Sequence, residues 1–177
     1  MLCARARKVN TREFRTMDYK DIEKKADEFT KVYSEPPIPV YEIARENKIE
    51  VYTEDFEELA DRFSGFCDFK NDRIYLNKED LPKRQFFTAA HEFGHWVLHK
   101  SLYLAKPKDY ALMPRQRAFA NGTCDNLEEK EADYFAICLL LPHPLVEKFH
   151  PYYSSSYLAN IFNVPRILME ERLKEIL

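Results

Sequence analysis

The stretch that most narrows the choice of fold is residues 83–99, where Phe86, Phe87, Ala89, Ala90, Phe93, Val97 and Leu98 surround His91, Glu92 and His95. A largely apolar helix of this kind belongs in a core, and a core charges a free-energy cost for every polar group it leaves unsatisfied. A helix turns ~100° and rises ~1.5 Å per residue, so His91 and His95 share one face, roughly 40° apart in azimuth and ~6 Å apart along the axis. Both imidazoles can then converge on a single ion at ~2.0–2.1 Å each. Glu92 projects ~100° from His91, towards the outer coordination sphere rather than onto the ion. This is the H-E-x-x-H arrangement, two metal ligands with a carboxylate placed as general base. Gly94 inside the same helix costs ~1 kcal/mol relative to alanine, and a close approach by another backbone or by a substrate strand would explain it.

The rest of the chain is compatible with one core around that helix. At 177 residues it is long enough to bury one. The net charge of −3 leaves no global basic footprint for nucleic acid. Cys3, Cys67, Cys124 and Cys138 form no C-x-x-C, so the thiols read as reduced, in a cytoplasmic setting. No apolar run reaches the ~18–20 residues that span a bilayer, and no secretory signal is visible. Residues 1–17 carry five basic residues against Glu13 and read as a flexible basic arm.

From Asp18, a plausible cap, Ile22, Ala26, Phe29 and Val32–Tyr33 predict an amphipathic helix over residues 18–33. Pro36 to Pro39 is a rigid break, and Val40, Ile43 and Ala44 then suggest a short helix. Residues 49–52 alternate as a strand. Residues 63–69 and 72–77 read as a hairpin turning at Asn71-Asp72. Residues 101–124, with Pro107, Pro114 and Gly122, read as a long loop. Asp125 or Asn126 can cap a helix that runs to Leu141 and stops at Pro142. Residues 154–177 read as two short helices meeting at Val164-Pro165. The expected class is α+β: a small antiparallel or mixed sheet packed on helices.

Two histidines do not complete a metal site. His99 lies ~12 Å along the axis from His91, too far to share an ion with it, and reads as an outer-sphere or helix-end packing residue. The natural donor is the second helix, buried from Ala132 to Leu141, whose first turns carry Glu128, Glu129 and Glu131. Glu129 and Asp133 share a face, so Glu129 can ligate while Asp133 fixes the tautomer of a ligating histidine. Glu131 sits ~200° round the helix from Glu129, so only one of them can bind. Glu129 is preferred, with Glu131 and then Glu128 as alternatives. Two histidines, one glutamate and an open position make a catalytic rather than a structural zinc arrangement. Cys138 reads as core.

Three motifs now stand together: residues 87–99 around His91-Glu92-Phe93-Gly94-His95, residues 129–136 beginning Glu129-Lys130-Glu131-Ala132-Asp133, and Leu139-Leu140-Leu141-Pro142. With the strand at residues 74–77 and the segment at 158–164, they resemble the ImmA/IrrE family of zinc metallopeptidases over roughly residues 36–177. The resemblance implies a compact zincin-like, gluzincin-type domain over residues 18–177, one zinc ion per chain, and cytoplasmic cleavage of a protein such as a transcriptional repressor. It implies His91 and His95 as zinc ligands, Glu92 as general base and the acid of the second motif as third ligand. The chain departs from many relatives in lacking an evident N-terminal helix-turn-helix and in carrying Pro165 where a small polar residue is usual.

The mechanism expected is attack of zinc-activated water on a peptide carbonyl, with Glu92 taking the proton and delivering it to the leaving amine. An extended substrate could pair with the sheet edge near residues 63–69. Tyr110, Tyr134 and His150 are candidate oxyanion helpers. One rival is a non-catalytic zinc-bearing module that senses or binds a transcription factor, though Glu92 has no obvious role there. The other is a DNA-binding regulator built on residues 158–173, against which Glu170, Glu171 and Glu175 make a poor face for phosphate. Neither a direct nucleic-acid partner nor a membrane is expected.

Overall fold

The computed structural model describes residues 17–105, 113–116 and 127–177, with side chains at all of these but 113–116. The expected basic arm, apart from Met17, lies outside them. The chain begins with α1 (Tyr19–Thr30), where the Asp18 carboxylate accepts the Lys20 N–H at 3.1 Å. That bond satisfies one of the donors a helix start leaves over. Ile22, Ala26 and Thr30 form its buried stripe, and the helix ends before the exposed Val32, three residues short of the expected boundary. Then follow α2 (Val40–Glu46) and β1 (Glu50–Glu54). The expected hairpin is β2 (Phe63–Asp68) and β3 (Arg73–Asn77).

Asp72 turns that hairpin with φ of 54°, a conformation that aspartate tolerates better than most residues. Its carboxylate accepts from Trp96 Nε1 at 2.6 Å and from the Lys100 ammonium, which ties the turn to the long helix α3 (Pro82–Ala105). The inward residues Cys67, Ile74 and Leu76 face the core. On the outer face Tyr52, Tyr75, Phe66 and Phe56 stack in a row across the strands, with centroids 5.5, 4.8 and 5.6 Å apart. Such cross-strand pairs stabilise a sheet that keeps one side towards solvent.

The segment expected to be a loop over residues 101–124 is partly ordered otherwise. Its first turn belongs to α3, and β4 (Met113–Gln116) pairs antiparallel with β2. The strand order is β1-β3-β2-β4, with β1 parallel to β3. Pro114 reads as a breaker in sequence, but an edge strand tolerates proline, because one row of its N–H groups has no ladder to join. A second expectation falls with the first: β2 is paired on both sides, so the edge open to an added strand is not at residues 63–69.

Beyond the sheet, α3 packs on α4 (Leu127–Leu140), and α4 packs on α1. Phe93 of α3 meets Phe135 of α4 and Phe29 of α1 edge-on, with centroids 5.9 and 5.0 Å away. The sheet therefore packs on α3, and α4 and α1 close over the other side of α3 while packing on each other. A short helix that the sequence reading passed over, α5 (His143–Phe149), follows Pro142. The last pair, α6 (Ser155–Ile161) and α7 (Arg166–Ile176), meets at Val164-Pro165 as expected. Leu158, Ala159, Phe162, Leu168 and Met169 are buried, so this pair spends its apolar faces on packing. The Lys83 ammonium reaches the carbonyl oxygens of Ala159 and Val164 at 3.3 Å, holding the start of α3 against the end of α6. Arg172, itself buried, donates to Glu23 of α1 at 2.7 Å and to the Leu141 carbonyl at 3.1 Å. Among the described residues no helix is long and apolar enough to cross a membrane.

Candidate metal centre

Antiparallel helices in contact bring one face of α3 against one face of α4, and the polar residues that interrupt both apolar surfaces meet there. His91 and His95 are 1% and 2% exposed, and Glu129 of α4 reaches between them. The two Nε2 atoms are 3.0 Å apart. One carboxylate oxygen of Glu129 is 3.2 Å from His91 Nε2 and the other is 3.2 Å from His95 Nε2. Ligand atoms ~2.0–2.1 Å from one ion at tetrahedral angles stand about 3.3 Å apart, so this triangle has the dimensions of three tetrahedral donors.

The hydrogen bonds outside the triangle decide what faces its centre. Asp133 accepts from His91 Nδ1 at 2.8 Å, which leaves the His91 Nε2 as a lone pair. Glu131 accepts from His99 Nε2 at 2.9 Å, and His99 Nδ1 lies 3.0 Å from His95 Nδ1. With His99 neutral, its Nδ1 accepts the His95 Nδ1 proton, and the His95 Nε2 is likewise a lone pair. These tautomers are assigned from the network. In those tautomers two imidazole lone pairs and a carboxylate point at one centre from about 3 Å apart, an arrangement that a bound cation relieves. The residues present therefore fit a metal of the zinc type.

The charge states agree. Burial lowers the His95 pKa to about 4, against the pull of Glu129, so the imidazole is neutral near pH 7, as a ligand must be. Burial pushes the Glu129 carboxyl up, but its contacts with His91 and His95 outweigh this and hold it well below the usual carboxylate range. Glu92 is fully buried on α3. Gly94 has its reason here: a Cβ would stand 3.2 Å from the Ala132 carbonyl oxygen and 3.0 Å from Phe135 Cδ1. The close neighbours are the Phe135 side chain and the backbone of α4.

Of the other residues singled out in the sequence, Glu131 joins His99 rather than the triangle, and Glu128 accepts from the Tyr103 hydroxyl at 2.5 Å. Cys138 is core. Tyr134 packs on Tyr19 of α1 with centroids 4.6 Å apart, and His150 caps the end of α5. Tyr110 lies outside the described residues. The link from His99 to Glu131 was not read from the sequence, although a buried-helix histidine four residues beyond His95 was the available signal.

Residues 44–174 match the family described as IrrE N-terminal-like domain, Peptidase M78. Metallopeptidase ImmA of Bacillus subtilis (strain 168) is 26% identical over 140 residues, covering 77% of this chain and 76% of that protein. Among solved structures, a Mycobacterium tuberculosis transcriptional regulator matches with a TM-score of 0.58 at 16% identity, over 87% of this chain and 46% of that one. This chain spans less than half the length of that regulator, and the likeness is one of fold.

Proposed function

Since this chain belongs to the ImmA/IrrE family of metallopeptidases, we propose that it is a zinc-dependent endopeptidase acting on a protein substrate, a transcription regulator, in the cytoplasm. The observation that carries the reading is the triangle of His91, His95 and Glu129 with Glu92 one residue along the same helix. A zinc ion held there supplies Lewis acidity, which makes water nucleophilic near neutral pH and stabilises negative charge developing on a carbonyl oxygen.

The chain's own residues supply the rest. His91, His95 and Glu129 would hold the ion. Asp133 and His99 orient the two imidazoles. Glu92 takes the proton of the attacking water on its carboxylate and returns it to the leaving amine nitrogen. Burial keeps that carboxylate away from bulk water, where competing proton exchange would waste it. Glu129 is the most exposed of the three donors. The Bacillus subtilis relative carries the name of a metallopeptidase, which supports hydrolysis of peptide bonds.

The test is co-incubation with the transcription regulator encoded beside this gene, with and without a chelator, read by mass spectrometry. Cleavage is expected only without chelator. Glu92→Gln is expected to keep zinc and lose cleavage, and His95→Ala to lose zinc. Cleavage by Glu92→Gln at the wild-type rate would refute the assigned base.

A further inference from the structure

Beside the metal triangle and Glu92, the same pair of helices buries a further imidazole and a further carboxylate, His99 at 2% and Glu131 at 5% exposure. Burying an imidazole and a carboxylate is costly unless each is fully hydrogen-bonded. Here they are bonded to each other and onward in both directions. His99 Nδ1 meets His95 Nδ1 at 3.0 Å, and His99 Nε2 meets Glu131 Oε2 at 2.9 Å. The other Glu131 oxygen accepts the backbone N–H of Met17 at 2.8 Å, 114 residues away in sequence.

Both oxygens of Glu131 are therefore acceptors, and its position demands a carboxylate rather than an amide. Acceptance at Oε2 makes His99 donate from Nε2, which leaves its Nδ1 to accept from His95. His91 has its orienting carboxylate in direct contact, at Asp133. Among the described residues no carboxylate meets the His95 Nδ1; the imidazole of His99, one helical turn further along α3, carries the constraint across to α4 and then to the chain entering α1.

We propose that His99 and Glu131 are positioning residues which, completed by the Met17 N–H, form a relay that holds His95 in the Nδ1–H tautomer and so keeps its Nε2 lone pair on the metal. The relay makes metal affinity depend on how the chain enters α1, a coupling between Met17 and the metal centre. This inference rests on the metal-centre reading above.

Zinc affinity of the full chain, measured by competition with a chromophoric chelator, tests it. Outer-sphere partners of a ligating histidine are typically worth 10–100-fold in metal affinity. His99→Phe and Glu131→Leu are each expected to weaken zinc by about that factor. Glu131→Gln, which keeps one acceptor, should recover part of the loss. Because both act through one chain of bonds, the double variant should lose no more than the worse single one. Met17→Pro, which lacks the N–H, should weaken zinc while Met17→Leu does not. In zinc-loaded protein labelled with 15N-histidine, long-range proton–nitrogen spectra should show His95 protonated at Nδ1, with that signature lost in His99→Phe. Losses that multiply in the double variant, or zinc constants within about twofold of wild type, would overturn the relay while leaving the metal centre intact. A wild-type protein that takes up no zinc would instead sink the metal reading, and the relay with it. Should His99→Phe fail to fold, the Glu131 and Met17 pairs carry the same comparison.

Discussion

Gly94→Ala probes the joint between the two helices that build the centre. A helix gains about 1 kcal/mol when an interior glycine becomes alanine. The new Cβ, however, would stand 3.0 Å from Phe135 Cδ1, 3.2 Å from the Ala132 carbonyl oxygen and 3.3 Å from Phe135 Cβ. Ordinary contact is roughly 3.5–4.0 Å, so something must yield by several tenths of an ångström. Phe135 has little room, being fully buried against Phe93 and Phe29, and the Ala132 carbonyl is part of the α4 backbone. Overpacking of this kind costs about 1–3 kcal/mol, which leaves a net loss of about 0–2 kcal/mol in the metal-free protein. The metal feels it more. Glu129 rides on α4 and both histidines on α3, and ligand distances must hold to about 0.2 Å. A retreat of α4 by more than that should weaken zinc on the order of tenfold. Denaturant unfolding of the metal-free protein and chelator competition measure the two effects. A variant that gains the full helix-propensity increment and binds zinc as tightly as wild type would show that the helices do not touch at this point.

Gly65→Ala should be worse, by about 3 kcal/mol, because its Cβ would meet Thr88 Cγ2 at 2.6 Å and the Tyr75 backbone oxygen at 2.8 Å; thermal unfolding measures it. Glu129→Ala should abolish stoichiometric zinc while far-UV circular dichroism stays native, since it removes one of three donors and no core packing. Metal-free protein should lose stability as pH falls from 6.5 to about 4: the unfolded chain protonates His95 in that window and the folded chain does not, an effect of up to about 3 kcal/mol that levels off below the folded pKa. Glu129, whose folded pKa is depressed, adds to the loss at still lower pH, and urea titrations across the range read both. Burial raises the Cys138 thiol to about 12 and holds Cys67 well above its ordinary value, so both should resist iodoacetamide at pH 8 until the protein unfolds, as peptide mapping would show.

Local periodicity carried much of this architecture. The spacing of His91 and His95 on an apolar helix, the Asp18 cap, the Asn71-Asp72 turn and the break at Val164-Pro165 are each written within a few residues, and local rules read them. That Glu129 and Asp133 share a face is equally local. Tertiary contacts decided the rest. β4 exists because β2 offers it a ladder, and no pattern within a four-residue segment containing Pro114 announces that. Its arrival moved the sheet edge away from β2. The choice of Glu129 over Glu131 at the triangle follows from how α4 packs on α3, and the bond from Glu131 to Met17 joins residues 114 apart. A sequence states which side chains lie along one helix face; only packing states which two faces meet, because that depends on side-chain shapes summed over the whole core.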